Sequence, residues 1–113
     1  MGLSVMGKTS EINDRVRKNL GGDNSIIVFS RSLAFLPGEQ REAVIAAIRD
    51  FDDFTPDNDQ YDEHDLIVVD VEGIGTVYAK FDYYARDMMT MSDDPADTEK
   101  TVRVLTIFPA DEY

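Results

Sequence analysis

Between Thr76 and Tyr84 the chain alternates without a slip. Val77, Ala79, Phe81 and Tyr83 fall on one side, and Thr76, Tyr78, Lys80, Asp82 and Tyr84 on the other. A period of two sustained this long belongs to a strand with one buried face, so whatever else the chain does it must build a sheet with a covered side. Three further runs supply strands. Leu66 to Val71 is apolar except at Asp70, and Glu72-Gly73-Ile74-Gly75 after it reads as a hairpin turn. Val102 to Phe108 is the last, and Ile26 to Phe29, bounded by Asp23-Asn24-Ser25 and Ser30-Arg31-Ser32, is the first.

Two stretches carry helical spacing instead. From Thr9 or Ser10, either of which can cap, Ile12, Val16 and Leu20 recur every fourth residue, and Gly21-Gly22 ends the run. Asn13, Asp14, Arg15, Arg17 and Lys18 are expected mostly on other faces. From about Pro37 to Phe51, Val44, Ile48 and Phe51 form a stripe widened by Ile45, with helix-favouring Ala43, Ala46 and Ala47. The order α-β-α-β-β-β predicts an α+β fold: an antiparallel sheet of about four strands with two helices packed on one face. Residues 1–8 lack periodicity and read as a flexible arm, and residues 9–113 as a single domain, a size at which a real core can form.

Charge is the second constraint. The net charge is −12, and residues 1–49 hold five acids and seven bases whereas residues 50–113 hold eighteen acids and four bases. Asp50 to Asp65 contains eight carboxylates and no Lys or Arg. Such a field repels phosphate backbones, so direct nucleic-acid binding is not expected; a protein partner with a basic surface is. The chain has no cysteine, hence no thiolate metal site or disulfide. No apolar run reaches the length of a membrane span, and no secretory h-region opens the chain, so a cytoplasmic, membrane-independent protein is expected.

Residues suited to chemistry are few. Asp57, Asp59, Asp62, Glu63 and Asp65 invite a divalent cation, but no register meets the glycine and closing glutamate of a helix–loop–helix calcium site. His64 is the only histidine, and Glu63-His64-Asp65 could place a base beside orienting carboxylates. Tyr78, Phe81, Tyr83 and Tyr84 on one strand suit core and cross-strand packing better than a nucleic-acid platform, given their acidic flanks. Met88-Met89-Thr90-Met91 precedes a second acidic segment containing Asp93, Asp94 and Asp97. No phosphate-binding glycine loop or nucleophile elbow is present, and no cofactor is expected.

Several strings resemble an uncharacterised bacterial family, domain of unknown function 3768. They are Asn13-Asp14 followed by Arg17; Phe51-Asp52-Asp53-Phe54-Thr55-Pro56-Asp57-Asn58-Asp59; Glu63-His64-Asp65; Asp82-Tyr83-Tyr84; and Thr101-Val102-Arg103-Val104-Leu105-Thr106-Ile107 with terminal Glu112-Tyr113. Gln60 stands where the resemblance leads one to expect proline. The resemblance implies no catalytic residue or cofactor, but it does imply a link to plasmids and other mobile elements. The expected function is a non-enzymatic acidic protein-binding module of the anti-CRISPR or anti-restriction inhibitor type. It would act as a DNA mimic, presenting Asp52, Asp53, Asp57, Asp59, Asp62, Glu63, Asp65, Asp93, Asp94 and Asp97 to a surface that normally holds nucleic acid. The alternatives are a structural homo-oligomer (a homodimer) and a metal-assisted hydrolase or nuclease using Glu63, His64 and Asp65.

Overall fold

The computed structural model describes residues 5–112. Helix α1 spans Val5–Asn19, strand β1 Ser25–Phe29, helix α2 Arg31–Ala34, helix α3 Gly38–Asp50, β2 Leu66–Val71, β3 Gly75–Ala85 and β4 Thr101–Pro109, before a 3-10 turn at Ala110–Glu112. The strands form one sheet in the order β1-β4-β3-β2. The fold is α+β as the element order implies, but the sheet is mixed: β2, β3 and β4 run antiparallel while β1 pairs parallel with β4. The reason is the passage from β1 through α3 to β2. A helix crossing one face returns the chain to the end where it started, so β1 and β2 point the same way. Because β4 also shares the direction of β2, β1 meets it in parallel.

Local chemistry shifts the helix boundaries. α1 begins at Val5, so Thr9 and Ser10 lie inside it and are buried rather than capping it. Of the arm expected over residues 1–8, residues 1–4 lie outside the described residues and 5–8 are helical. α1 ends where Leu20 takes a left-handed φ of 50°, with the Gly21 amide donating back to the Val16 carbonyl. α2 is an extra single turn that puts Leu33 into the core. Pro37 caps α3, where its fixed φ fits and a missing N–H costs nothing.

The core lies between the helices and one sheet face. Ile12 and Val16 of α1, Leu33 of α2, and Val44 and Ile48 of α3 pack over Ile67, Val71, Val77, Ala79, Phe81, Leu105 and Ile107. The alternation of β3 is therefore realised with Val77, Ala79 and Phe81 inward. On the opposite face Ile26, Val28 and Val68 are exposed, and Glu112 of the 3-10 turn borders a hollow with Lys80, Asp82, Thr106 and Phe108. Among the described residues no helix is long and apolar enough to cross a membrane.

Candidate functional site

The segment from Phe51 to Asp65 has no helix or strand, yet it is anchored at three points. The first is Arg17, which α1 presents one residue past Val16 and which is 1% exposed. Its Nη1 donates to the carbonyls of Ile48, Arg49 and Phe51 at 2.7, 3.1 and 2.9 Å, satisfying the orphan acceptors at the end of α3. Its Nη2 donates to Asp14 at 2.9 Å, and its guanidinium lies 5.6 Å from the centre of the Phe54 ring.

The second anchor is His64. Its Nδ1 lies 3.0 Å from both carboxylate oxygens of Asp14, and its Nε2 lies 3.4 Å from Asp59 Oδ2 and from Asp62 Oδ1. The ring stacks on Phe54 at 3.7 Å with 2° between planes, and Phe54 meets Phe51 edge-on at 5.0 Å. A carboxylate only accepts, so Nδ1 carries a hydrogen toward Asp14. Nε2 faces two carboxylates as well. Asp59, Asp62 and His64 each offer an atom within 4.8 Å of the others, so these three could hold a divalent ion with Asp14 orienting the ring from behind.

The third anchor is the turn itself. The Thr55 amide donates to Asn58 Oδ1, and Asn58 Nδ2 donates to the Asp53 carbonyl. Asp59 Oδ1 accepts the amides of Glu63 and His64 at 3.0 and 3.1 Å. Both Asp62 and His64 have left-handed φ angles, which Asp and His tolerate better than branched residues do.

Beside this segment runs a second, more buried network. Arg103 Nε donates to Asn13 Oδ1 at 2.9 Å, and Asn13 Nδ2 donates to the Tyr83 hydroxyl oxygen and to the Glu63 carbonyl at 2.7 and 2.9 Å. The Tyr83 hydroxyl in turn donates to Glu63 Oε1. Arg103 also donates to the Pro95 carbonyl and lies 5.3 Å from the Tyr83 ring centre. Burial sets the proton affinities here. It lifts the carboxyls of Glu63 and Asp65 above their ordinary values, helped by repulsion from Asp59 and, for Glu63, from Asp65. It also raises the Tyr83 phenol and lowers the Arg103 guanidinium.

The expected acidic residues divide. Asp52, Asp53, Asp57, Asp62 and Asp93 are exposed, while Glu63, Asp65, Asp94 and Asp97 are half-buried. Asp59 departs from the expectation of a presented carboxylate: it is buried, because it takes up amide groups the turn would leave orphaned. Asp94 and Asp97 accept the amides of Ala96 and Glu99 within their own loop. The two acidic segments meet at Tyr83, whose hydroxyl reaches Glu63 and whose carbonyl accepts the Ser92 amide. Glu63, His64 and Asp65, adjacent in sequence, diverge: toward Tyr83, toward Asp14, and into an open hollow of about 220 Å³ shared with Tyr61 and Lys80.

Residue patterns had placed Asn13 and Arg17 away from the core and had assigned Tyr83 to packing and Arg103 nothing. All four belong to the site, and Asn13, Arg17 and Arg103 are fully buried. A signal was present: Asn13 and Arg17 follow Ile12 and Val16 at the same four-residue step, and Arg103 shares the inward parity of Leu105 and Ile107. No curated protein and no solved structure shows significant similarity to this chain. A family model described as Protein of unknown function (DUF3768) matches residues 29–112, starting after α1 and so after Asn13, Asp14 and Arg17. With well over half of its length matched, and with the Phe51–Asp65 segment, Tyr83 and Arg103 all inside the match, the chain belongs to the DUF3768 family.

Proposed function

We propose that the protein is a non-enzymatic binding module that presents the acidic Phe51–Asp65 segment to a basic protein surface. One observation carries this reading. The segment is held from inside by Arg17, Asp14 and His64, yet Asp52, Asp53 and Asp57 on its outside have no Lys or Arg of this chain within ion-pair distance among the described residues. Fixed, unneutralised carboxylates cost little ordering when they dock, and they match guanidinium and ammonium groups that otherwise hold phosphates. Asp93, where the second acidic loop joins at Tyr83, extends the charge. Both ring nitrogens of His64 face carboxylates rather than a hydroxyl, an arrangement for holding a loop more than for activating a nucleophile. The finer version is an inhibitor of the anti-CRISPR or anti-restriction type, a DNA mimic carried by mobile elements and acting in the cytoplasm.

The test is capture from a bacterial lysate at low salt, released by a salt step. A variant with Asp52, Asp53, Asp57 and Asp93 changed to Asn should melt as the parent does and lose the partner. Equal capture by parent and variant, or release that ignores salt, would remove the reading.

The geometry of His64 Nε2 favours a second reading, a divalent cation on Asp59, Asp62 and His64. Titration with Zn²⁺, Mn²⁺ or Mg²⁺ should then raise the melting temperature saturably, and His64→Phe should abolish the rise. A melting curve indifferent to all three ions excludes it.

A further inference from the structure

A strand turns its backbone groups to alternate sides, so at the edge of a sheet every second N–H and C=O lacks a ladder partner. β2 is such an edge, the last strand in the order β1-β4-β3-β2. The register says which groups are left over. The Phe81 amide donates to the Asp65 carbonyl at 2.9 Å, and the pairing continues with Leu66 opposite Lys80 and Ile67 opposite Ala79. Bonded pairs alternate along an antiparallel ladder, so Ile67, Val69 and Val71 turn their backbone groups toward β3. Leu66, Val68 and Asp70 turn theirs outward, where no backbone group of the described residues meets them. Proteins usually blunt an edge with Lys, Pro or a bulge, and β2 has none of these. Its one charge is Asp70, whose carboxylate accepts from the Thr76 hydroxyl at 2.6 Å. The flank is open as well: Val69 points inward like Ile67 but is only half-buried, and Val68 is 42% exposed.

Charge chooses the occupant. Asp65 precedes β2, Glu72 follows it and Asp70 lies within it, with no Lys or Arg from Asp50 to Ala79. The acidic Phe51–Asp65 segment runs directly into the strand. At the junction is the open hollow of about 220 Å³, where Asp59 and Asp65 set two carboxylates against the single ammonium of Lys80. The other edge, β1, is different: it lies between Asp23, already paired with Arg15 at 2.9 Å, and Arg31. A second copy would carry its own net charge of −12 to β2 and be repelled. An extended segment rich in Lys or Arg is attracted instead, and its backbone completes the ladder.

We propose that a basic, extended segment of the partner protein adds to β2 as a further strand of the sheet. This rests on the reading of the protein as an acidic binding module and names how the partner is held. The outward amides and carbonyls of Leu66, Val68 and Asp70 bind its backbone, and Asp65, Asp70 and Glu72 select its cations.

The probe is a peptide of about eight residues alternating lysine and valine, long enough to span β2. Added to the full chain, it should slow amide exchange at Leu66, Val68 and Asp70 about tenfold or more, read by NMR, while Ile67 and Val69 are slow with or without it. The same peptide N-methylated at every amide keeps its charge but cannot join a ladder, and should leave those three amides fast. Val68→Pro removes an amide that bonds nothing within this fold, a change an edge strand tolerates, and should abolish peptide binding at a melting temperature near the parent's. Val68→Thr keeps that amide and should bind as the parent does. Protection that does not alternate along β2, or no protection at all, overturns the proposal. So does protection that rises with protein concentration without peptide, which would give the edge to a second copy. Equal, salt-sensitive binding of the N-methylated peptide would overturn strand addition while upholding the acidic surface, so the two failures are told apart.

Discussion

Arg17 shows how much one side chain can carry here. The last turn of α3 ends in carbonyls with no helical partner, and one guanidinium nitrogen meets three of them. Arg17→Lys would keep the charge but not the planar fork, so it should cost about 1–3 kcal/mol in urea unfolding. A loss no larger than that at an exposed arginine such as Arg15 would show that the carbonyls find other donors. Glu63 gives the pH signature. Its carboxyl is raised by burial, so the folded chain holds that proton to a higher pH than the unfolded chain does. Stability therefore falls as pH climbs from the ordinary carboxylate value through the raised one, and the penalty persists above it. Asp65 adds in the same direction, while Asp23, lowered by its bond to Arg15, loses its contribution as pH falls below the ordinary range. Glu63→Gln can still accept from Tyr83, so relative to the parent it should gain stability at about pH 7 and gain none at about pH 4. Melting temperatures across that range decide it; parallel curves would refute the assignment.

At the scale of elements, the Phe51–Asp65 segment is order without regular structure. Its hydrogen bonds run to side chains of α1, to its own Asx groups and, at its C-terminal end, to Tyr83 and the Phe81 amide of β3. Removing one tie should therefore release the segment without touching the sheet. In His64→Ala, amide exchange over residues 51–65 should quicken by at least about tenfold while β3 and β4 stay protected. Uniform quickening across the sheet would mean that His64 supports the whole fold. Phe51 was legible in the residues, as the end of the helical stripe of Val44 and Ile48. The histidine's role was not, because Asp14, which orients its ring, lies fifty positions earlier.

For the whole molecule, charge is segregated along the chain: residues 50–113 hold eighteen acids and four bases. The acidic segment should bind a basic partner less tightly as salt rises, because salt screens the attraction. A salt titration read by partner capture checks it, and capture that does not change with salt would refute it.

The apolar runs and the alternation on β3, the apolar stripes of α1 and α3, and the glycine and proline stops were enough by themselves to determine the four strands, the two longer helices, their order and the α+β class. Each depends on neighbours within a few residues, where backbone geometry repeats. The direction of β1 and the burial of Asn13, Arg17, Asp59 and Arg103 were decided only by tertiary structure. A buried polar residue is tolerable only when its partners arrive, and here they come from α1, the acidic segment, β3 and β4 together. No local pattern could announce that meeting, since it is made by contacts as far apart in sequence as Asn13 and Arg103.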